Sequence, residues 1–273
     1  MTDGHPDWLV VRRGAAPLIV SIPHAGVDLG EFEGQFVDAW LARKDADWRL
    51  DELYDFVEAL GATLVRTTLS RSIIDVNRDP SGASLYPGQA TTGLCPTTTF
   101  DGEPLYRPGQ EPDETGIAER LRLAFEPYHD ALRAEIVRLR MDFPRVALFD
   151  AHSIRSRIPH LFDGELPVFN LGTNSGFSCS AELREAVGAA LAASGSSSVV
   201  DGRFKGGWIT RSYGKPGDGV EAIQLELACR AYMNEPERPS PANWPVPVDA
   251  ARAERTRATL RSVLEILLES VRK

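Results

Sequence analysis

The chain has 273 residues, 42% of them hydrophobic and 25% charged, and 30 Lys+Arg against 39 Asp+Glu give it a net charge of −9. This composition argues against disorder, collagen and coiled coil and suits one large α/β domain or two small ones. The acidic balance opposes a broad grip on phosphate backbone or anionic lipid, so neither nucleic acid nor a membrane is an expected partner.

The run Pro17-Leu-Ile-Val-Ser-Ile-Pro23 is short, β-branched and bounded by prolines, the pattern of a strand buried on both faces. His24-Ala-Gly26 follows at its carboxyl end. Residues 45–60 are predicted helical, with Trp48, Leu53, Phe56, Val57 and Leu60 as the apolar positions and Gly61 as the stop. Residues 62–66 read as the next strand and complete a β-α-β unit; residues 72–76 read as a third strand, ending at Asn77-Arg-Asp-Pro80. Residues 81–111 show neither period, and so long a stretch containing Tyr86, Phe100 and Tyr106 predicts an ordered functional loop.

A long amphipathic helix is expected over residues 114–141, with Ile117, Leu121, Ala124, Tyr128, Leu132, Ile136 and Leu139 at helical spacing. A buried strand over 145–150 follows, with Ala151-His152-Ser153 at its end. Beyond it come a strand over 167–171, a helix over 180–194 opened by Ser180 in an imperfect capping box, and late strands over 206–211 and 222–228. A proline-rich connector over 236–247 leads to a closing helix over 250–271. The alternation predicts one domain, residues 1–273, built on a mostly parallel mixed sheet with helices on both faces. Cys95, Cys179 and Cys229 have no CxxC spacing and read as reduced thiols in a cytoplasmic protein, a monomer or small homo-oligomer. No apolar run approaches the roughly 20 residues that cross a bilayer.

In open α/β sheets, sites form at the carboxyl ends of strands. His24 and His152 both stand there, and imidazole is the commonest metal ligand. A carboxylate from Asp45, Asp47 or Asp51 would complete a three-ligand catalytic zinc site with water in the fourth position; Asp47 is preferred, being nearest the inferred helix start. The same acids also suit a helix macrodipole, worth about 0.3–1 kcal/mol each. Glu226 lies in the apolar run Ile223-Gln-Leu-Glu-Leu-Ala228, where a strand would put it on one face with Gln224. A carboxylate beside a metal-bound water takes its proton and passes it to a leaving amine, which makes Glu226 the candidate general base. Arg71 and Arg78 bracket residues 72–76, and Arg155, Arg157 and Arg211 lie in loops beside these segments. Guanidinium is shaped to hold a carboxylate in a bidentate fork, so several converging on one cleft would select a dianionic substrate.

Ser21-Ile-Pro-His-Ala-Gly26, Asp47-Trp48, Ser70-Arg71, Asp75-Val-Asn-Arg78, Gly82 to Phe100, Asp150-Ala-His-Ser-Ile-Arg155, Asn170-Leu-Gly-Thr-Asn174, Phe204 to Arg211 and Gln224-Leu-Glu226 occur in one order across most of the chain. In these motifs the sequence resembles the N-formylglutamate amidohydrolases, which are in turn similar to the zinc carboxypeptidase and aspartoacylase group. The resemblance implies a zinc-carboxypeptidase-like fold, one Zn²⁺ on His24, Asp47 and His152, and cytoplasmic cleavage of N-formyl-L-glutamate to formate and L-glutamate in histidine breakdown. It further implies Glu226 as base, Arg71 at the oxyanion, Asn77 and Arg78 on a substrate carboxylate, Arg211 on the second, and a loop from Tyr86 to Phe100 that covers the site. One departure is that Val27 stands where the wider group has its acidic ligand, three residues after the first histidine. The alternatives are a deacylase or carboxypeptidase acting on another N-acyl amino acid, and a non-catalytic binder of acidic metabolites.

Overall fold

In the computed structural model, which describes residues 5–272, the most apolar runs of the sequence become adjacent strands. The strands are β1 (Leu9–Arg12), β2 (Leu18–Ile22), β3 (Thr63–Thr67), β4 (Val146–Ile154), β5 (Phe169–Gly172), β6 (Ser198–Val200) and β7 (Val220–Ala228). They form one sheet in the order β1-β3-β2-β4-β7-β5-β6. The centre, β3-β2-β4-β7, is parallel throughout, whereas β1 runs antiparallel to β3 and β5 antiparallel to β7. Every residue of β2, β4 and β7 is buried, as expected where helices cover both faces.

The helices are α1 (Ala39–Lys44), α2 (Leu50–Leu53), α3 (Glu114–Arg120), α4 (Glu126–Asp142), α5 (Ala181–Ala193), α6 (Trp208–Tyr213) and α7 (Ala250–Arg272). One apolar layer joins Leu183, Val187 and Leu191 of α5 with Leu260, Val263, Leu264 and Leu267 of α7 under the sheet. The other sets Tyr128, Leu132 and Leu139 of α4 against Val65, Val146 and Leu148. The mostly parallel mixed sheet with helices on both faces is thus the observed architecture. No helix among the described residues is long and apolar enough to cross a membrane, and Cys95, Cys179 and Cys229 are buried free thiols.

Four local expectations change. The helix foreseen over 45–60 is broken: α1 ends at Lys44, residues 45–49 leave the helical path with Arg49 at φ 63°, and α2 is followed by a tight turn over Asp55–Leu60. Gly61 ends that turn at φ 70°, the left-handed stop foreseen for it. Residues 72–76 form turns rather than a strand; Ile73, Ile74 and Val76 still pack in the core, and the Asp75 N–H donates to Leu94 O at 2.7 Å. Residues 206–211 contribute to α6, not to a strand. Short strands β1 and β6 lie where none was expected. The long helix over 114–141 is present as α3 and α4 joined by one widened turn, Leu121–Phe125, which falls just ahead of Pro127, a residue with no N–H for the helical ladder. Residues 81–111 contain no helix or strand, yet Tyr86, Leu94, Phe100, Leu105 and Tyr106 are all buried.

Buried His129 on α4 carries a pH dependence. Its Nε2 donates to Val76 O at 2.8 Å, which leaves Nδ1 as an acceptor 2.9 Å from the Tyr213 hydroxyl. Burial is the chief cause that lowers its pKa from 6.5 to about 4. Between those values the unfolded chain binds a proton that the folded chain does not, so this contribution is complete above pH 6.5 and is lost as pH falls toward 4. We expect about 2 kcal/mol of unfolding free energy to be lost from this residue between pH 7 and pH 5. Denaturant titrations at both pH values check it: His129→Gln should show a shallower decline, and an unchanged decline would refute the assignment.

Candidate active site

His24 leaves the end of β2, and His152 is the seventh residue of β4, inside the strand rather than after it. β2 and β4 are parallel neighbours, so the two rings meet at the carboxyl end of the sheet with centroids 4.8 Å apart. The break between α1 and α2 delivers the third member. Its backbone turns back so that the Asp47 N–H donates to His24 O at 2.9 Å, and this aims the carboxylate at both rings. Asp47 Oδ2 lies 3.2 Å from His152 Nδ1 and 3.9 Å from His24 Nδ1, and it accepts from the Ser153 N–H at 3.1 Å. Of the three acids weighed from sequence, Asp47 alone reaches the histidines: Asp45 accepts from the Phe100 N–H at 2.6 Å, and Asp51 is exposed on α2.

Each imidazole is backed by a second carboxylate. His24 Nε2 is 2.6 Å from Asp75 Oδ1, and His152 Nε2 is 3.0 Å from Asp150 Oδ2. For His24, a carboxylate on Nε2 holds the ring proton there and leaves the Nδ1 lone pair facing Asp47, the arrangement that orients histidine ligands toward a metal. At His152 burial disfavours the charged ring, but Asp150 and Asp47 outweigh it and raise its pKa well above 6.5, so a cation would take the place of the Nδ1 proton. The three candidate ligand atoms lie within 4.8 Å of one another. His24 Nδ1 and Asp47 Oδ1 are buried and have no hydrogen-bond partner in the protein. Buried polar atoms are seldom left so, and a cation among them would satisfy both. The donor set of two imidazoles and one carboxylate suits zinc with an open fourth position. Burial is the largest influence on His24 and lowers its pKa to about 4, which keeps its lone pair free.

Glu226 pairs in register with His152 across β4 and β7, so the sheet itself sets the carboxylate beside the cluster. Gln224, on the same face, donates from Nε2 to Glu226 Oε2 at 3.3 Å and accepts from the Gly207 N–H at 2.7 Å. Burial raises the Glu226 pKa from 4.5 to about 7, a value suited to taking and returning a proton near neutrality. Arg71 donates to Asp75 Oδ2 at 2.6 Å and lies 3.7 Å from Asp47 Oδ1; burial disfavours its charge, but Asp75 and Asp47 outweigh that and keep it protonated.

His24, Arg71, Asn77, Arg78, His152 and Glu226 line one cavity of about 50 Å³, to which Tyr86, Thr91 and Thr92 of the 81–111 loop also contribute. Asn77 is fully engaged within the protein: Nδ2 donates to Asp150 Oδ2 at 2.8 Å and Oδ1 accepts from the Ile209 N–H at 2.7 Å. The start of α6 comes so close that a Cβ at Gly207 would lie 2.5 Å from Asn77 Nδ2. Arg78 donates to Thr92 O and Thr92 Oγ1, both at 3.0 Å. Arg211 does not line the cavity: its Nε donates to Gly206 O at 2.8 Å and its guanidinium rests on the Tyr86 ring. Arg155 and Arg157 also lie elsewhere, paired with Asp101 and Glu165. Arg203, not singled out from the sequence, lines the cavity and donates to Ala90 O at 2.6 Å. Its loop has no periodicity that would have marked it. Asp75 and Asp150 had a readable signal: in a strand, residues two apart share a face, which puts Asp150 beside His152.

A carboxylate opposite two histidines and an aspartate, at the end of a parallel sheet and facing a guanidinium-lined cavity, defines a candidate metal-dependent hydrolytic centre. The chain belongs to the N-formylglutamate amidohydrolase family, whose model matches residues 16–233. It is 46% identical over 262 residues to the N-formylglutamate deformylase of Pseudomonas aeruginosa, covering 95% of this chain and 96% of that one. Identity to the N-formylglutamate deformylase of Pseudomonas putida is 45%, covering 95% of each chain. A crystal structure of N-formylglutamate amidohydrolase from Ralstonia eutropha JMP134 has the same fold, with a TM-score of 0.78 at 24% identity over 97% of this chain and 98% of the other.

Proposed function

We propose that this protein hydrolyses N-formyl-L-glutamate to formate and L-glutamate with one Zn²⁺ held by His24, Asp47 and His152, as the last step of a histidine degradation route in the cytoplasm. The observation that carries the reading is the joining, in one cavity, of this cluster, Glu226 and the guanidiniums of Arg71, Arg78 and Arg203. The names of the two Pseudomonas relatives point to the same substrate.

A bound divalent metal supplies Lewis-acid polarisation of the amide carbonyl and acidifies a water. Arg71 is placed to stabilise the negative charge that gathers on the carbonyl oxygen as the tetrahedral carbon forms. Glu226 accepts the proton of the attacking water and delivers it to the departing glutamate nitrogen, so the carboxylate ends the cycle as it began. Arg78 and Arg203 hold the two substrate carboxylates, with Arg211 supporting Tyr86 behind them. Asn77 acts through others: it fixes Asp150, which fixes the His152 ring.

Formate release tests the reading. N-formylglutamate should be cleaved at least about tenfold better, in kcat/KM, than N-formylaspartate, whose side chain is one methylene shorter. A preference for N-formylaspartate, or no formate from either, would overturn it.

A further inference from the structure

The cavity has two unlike ends. Arg78, Arg203 and Thr92 supply polar lining, with Arg203 resting on the Phe204 ring and donating to Leu161 O at 3.4 Å, whereas Phe100 and Ile154 make an apolar end. Ile154 follows His152 by two residues on β4 and shares its face, so the apolar end begins beside the metal cluster. The Phe100 ring lies on the Arg71 guanidinium, with 4.9 Å between Cζ and the ring centroid. An amide whose carbonyl meets the cluster and Arg71, and whose acidic part reaches the guanidiniums, must turn its acyl substituent toward Phe100 and Ile154.

Phe100 is also held with unusual firmness for a loop residue. Its N–H donates to Asp45 Oδ2 at 2.6 Å, and Asp45 is paired with Arg155 at 3.3 Å. The next residue, Asp101, takes Arg155 at 2.7 Å and buried Lys44 of α1 at 2.6 Å, and Lys44 also pairs with Glu103. Thr99 and Glu103 close the turn with a backbone hydrogen bond of 2.8 Å. The ring is 6% exposed and packs with Ile154, Ile158 and Leu166, so it has no free space to retreat into. A surface aromatic without such anchoring would swing aside for a bulkier ligand; this one is tied to α1 and to the end of β4.

We propose that Phe100, fixed by the Asp45, Asp101, Lys44 and Arg155 clamp, is the specificity-determining residue that restricts the acyl group to formyl. The inference rests on the proposed amide hydrolysis and adds the part of the substrate that is excluded. A hydrogen on the carbonyl carbon fits against the ring, whereas a methyl must displace it against the clamp.

The test compares N-formylglutamate with N-acetylglutamate and N-propionylglutamate in the metal-loaded enzyme, for the wild type, Phe100→Ala and Phe100→Leu. Phe100→Ala should raise the acetyl-to-formyl ratio of kcat/KM by at least about tenfold, and Phe100→Leu by a smaller factor, since one methyl in an apolar pocket discriminates by about 10- to 200-fold. Should Phe100→Ala fail to fold by circular dichroism, Phe100→Leu carries the test with a threshold of about threefold. Asp45→Ala, which frees the Phe100 N–H, should shift the ratio in the same direction. Folded Phe100 variants with the ratio within about twofold of wild type overturn the proposal. A wild type that cleaves none of the three overturns the amide-hydrolysis reading instead.

Discussion

Glu226→Gln lowers the rate of formate release by about 10³-fold, with the effect in kcat rather than KM, and leaves the bound metal at wild-type stoichiometry. The substitution keeps the side chain's shape, and its carbonyl oxygen still accepts from Gln224 Nε2, so the β7 end and the Gly207 contact are preserved. What is lost is, among the described residues, the one carboxylate that lines the cavity and belongs neither to the His24, Asp47 and His152 cluster nor to the Asp75 and Asp150 pair behind it. Steady-state kinetics together with metal analysis check this. Activity within tenfold of wild type would mean that another group moves the proton.

If the proposed metal reading holds, chelation should abolish formate release, by more than about 10³-fold, because a metal at this site would contribute several kcal/mol of charge stabilisation, and stoichiometric zinc should restore it. A second readout is independent of turnover. Without a cation, His24 Nδ1 and Asp47 Oδ1 are buried with no hydrogen-bond partner. A ligand that binds only the folded state at about 1,000 times its Kd adds about 4 kcal/mol. In a chain of this size that is about 10 °C in melting temperature. Asp47→Ala should lose both the restored activity and the thermal shift. An unchanged melting temperature for the wild type on adding zinc would refute the site.

The parts of this molecule that were legible in the sequence are those where burial dictates pattern. β2, β4 and β7 are continuous apolar runs because helices cover both faces of the sheet, and α4, α5 and α7 show the period of a half-buried helix. The misread segments are those bent toward the cavity. Trp48, Leu53, Phe56 and Val57 keep helical spacing, but Asp47 must reach two histidines, and its backbone is tied to His24 O instead of to a helical partner. Ile73, Ile74 and Val76 look like strand residues because they are buried, but the Ile73 N–H donates to Ser70 O, Val76 O accepts from His129, and only the Asp75 N–H between them reaches the 81–111 loop, at Leu94 O. Ile209 and its neighbours form a helix because Asn77 Oδ1 accepts the Ile209 N–H, a contact between residues 132 positions apart that no local pattern records. The same holds for Arg203, whose place in the cavity depends on the path of a distant loop.

The in-register pairing of His152 with Glu226 makes folding fidelity and chemistry inseparable. Because side chains alternate along a strand, a slip of one residue between β4 and β7 would leave both backbones hydrogen-bonded while turning Glu226 to the opposite side of the sheet. Such a slip would also bury the carboxylate in the apolar layer around Phe149 and turn Leu225 and Leu227 into the polar cavity. Single-residue insertions or deletions within either strand are therefore penalised twice, in stability and in turnover. Variation in this enzyme's substrate range is left to the loops that carry Arg78, Phe100 and Arg203, which can change without moving the histidine and the glutamate relative to each other.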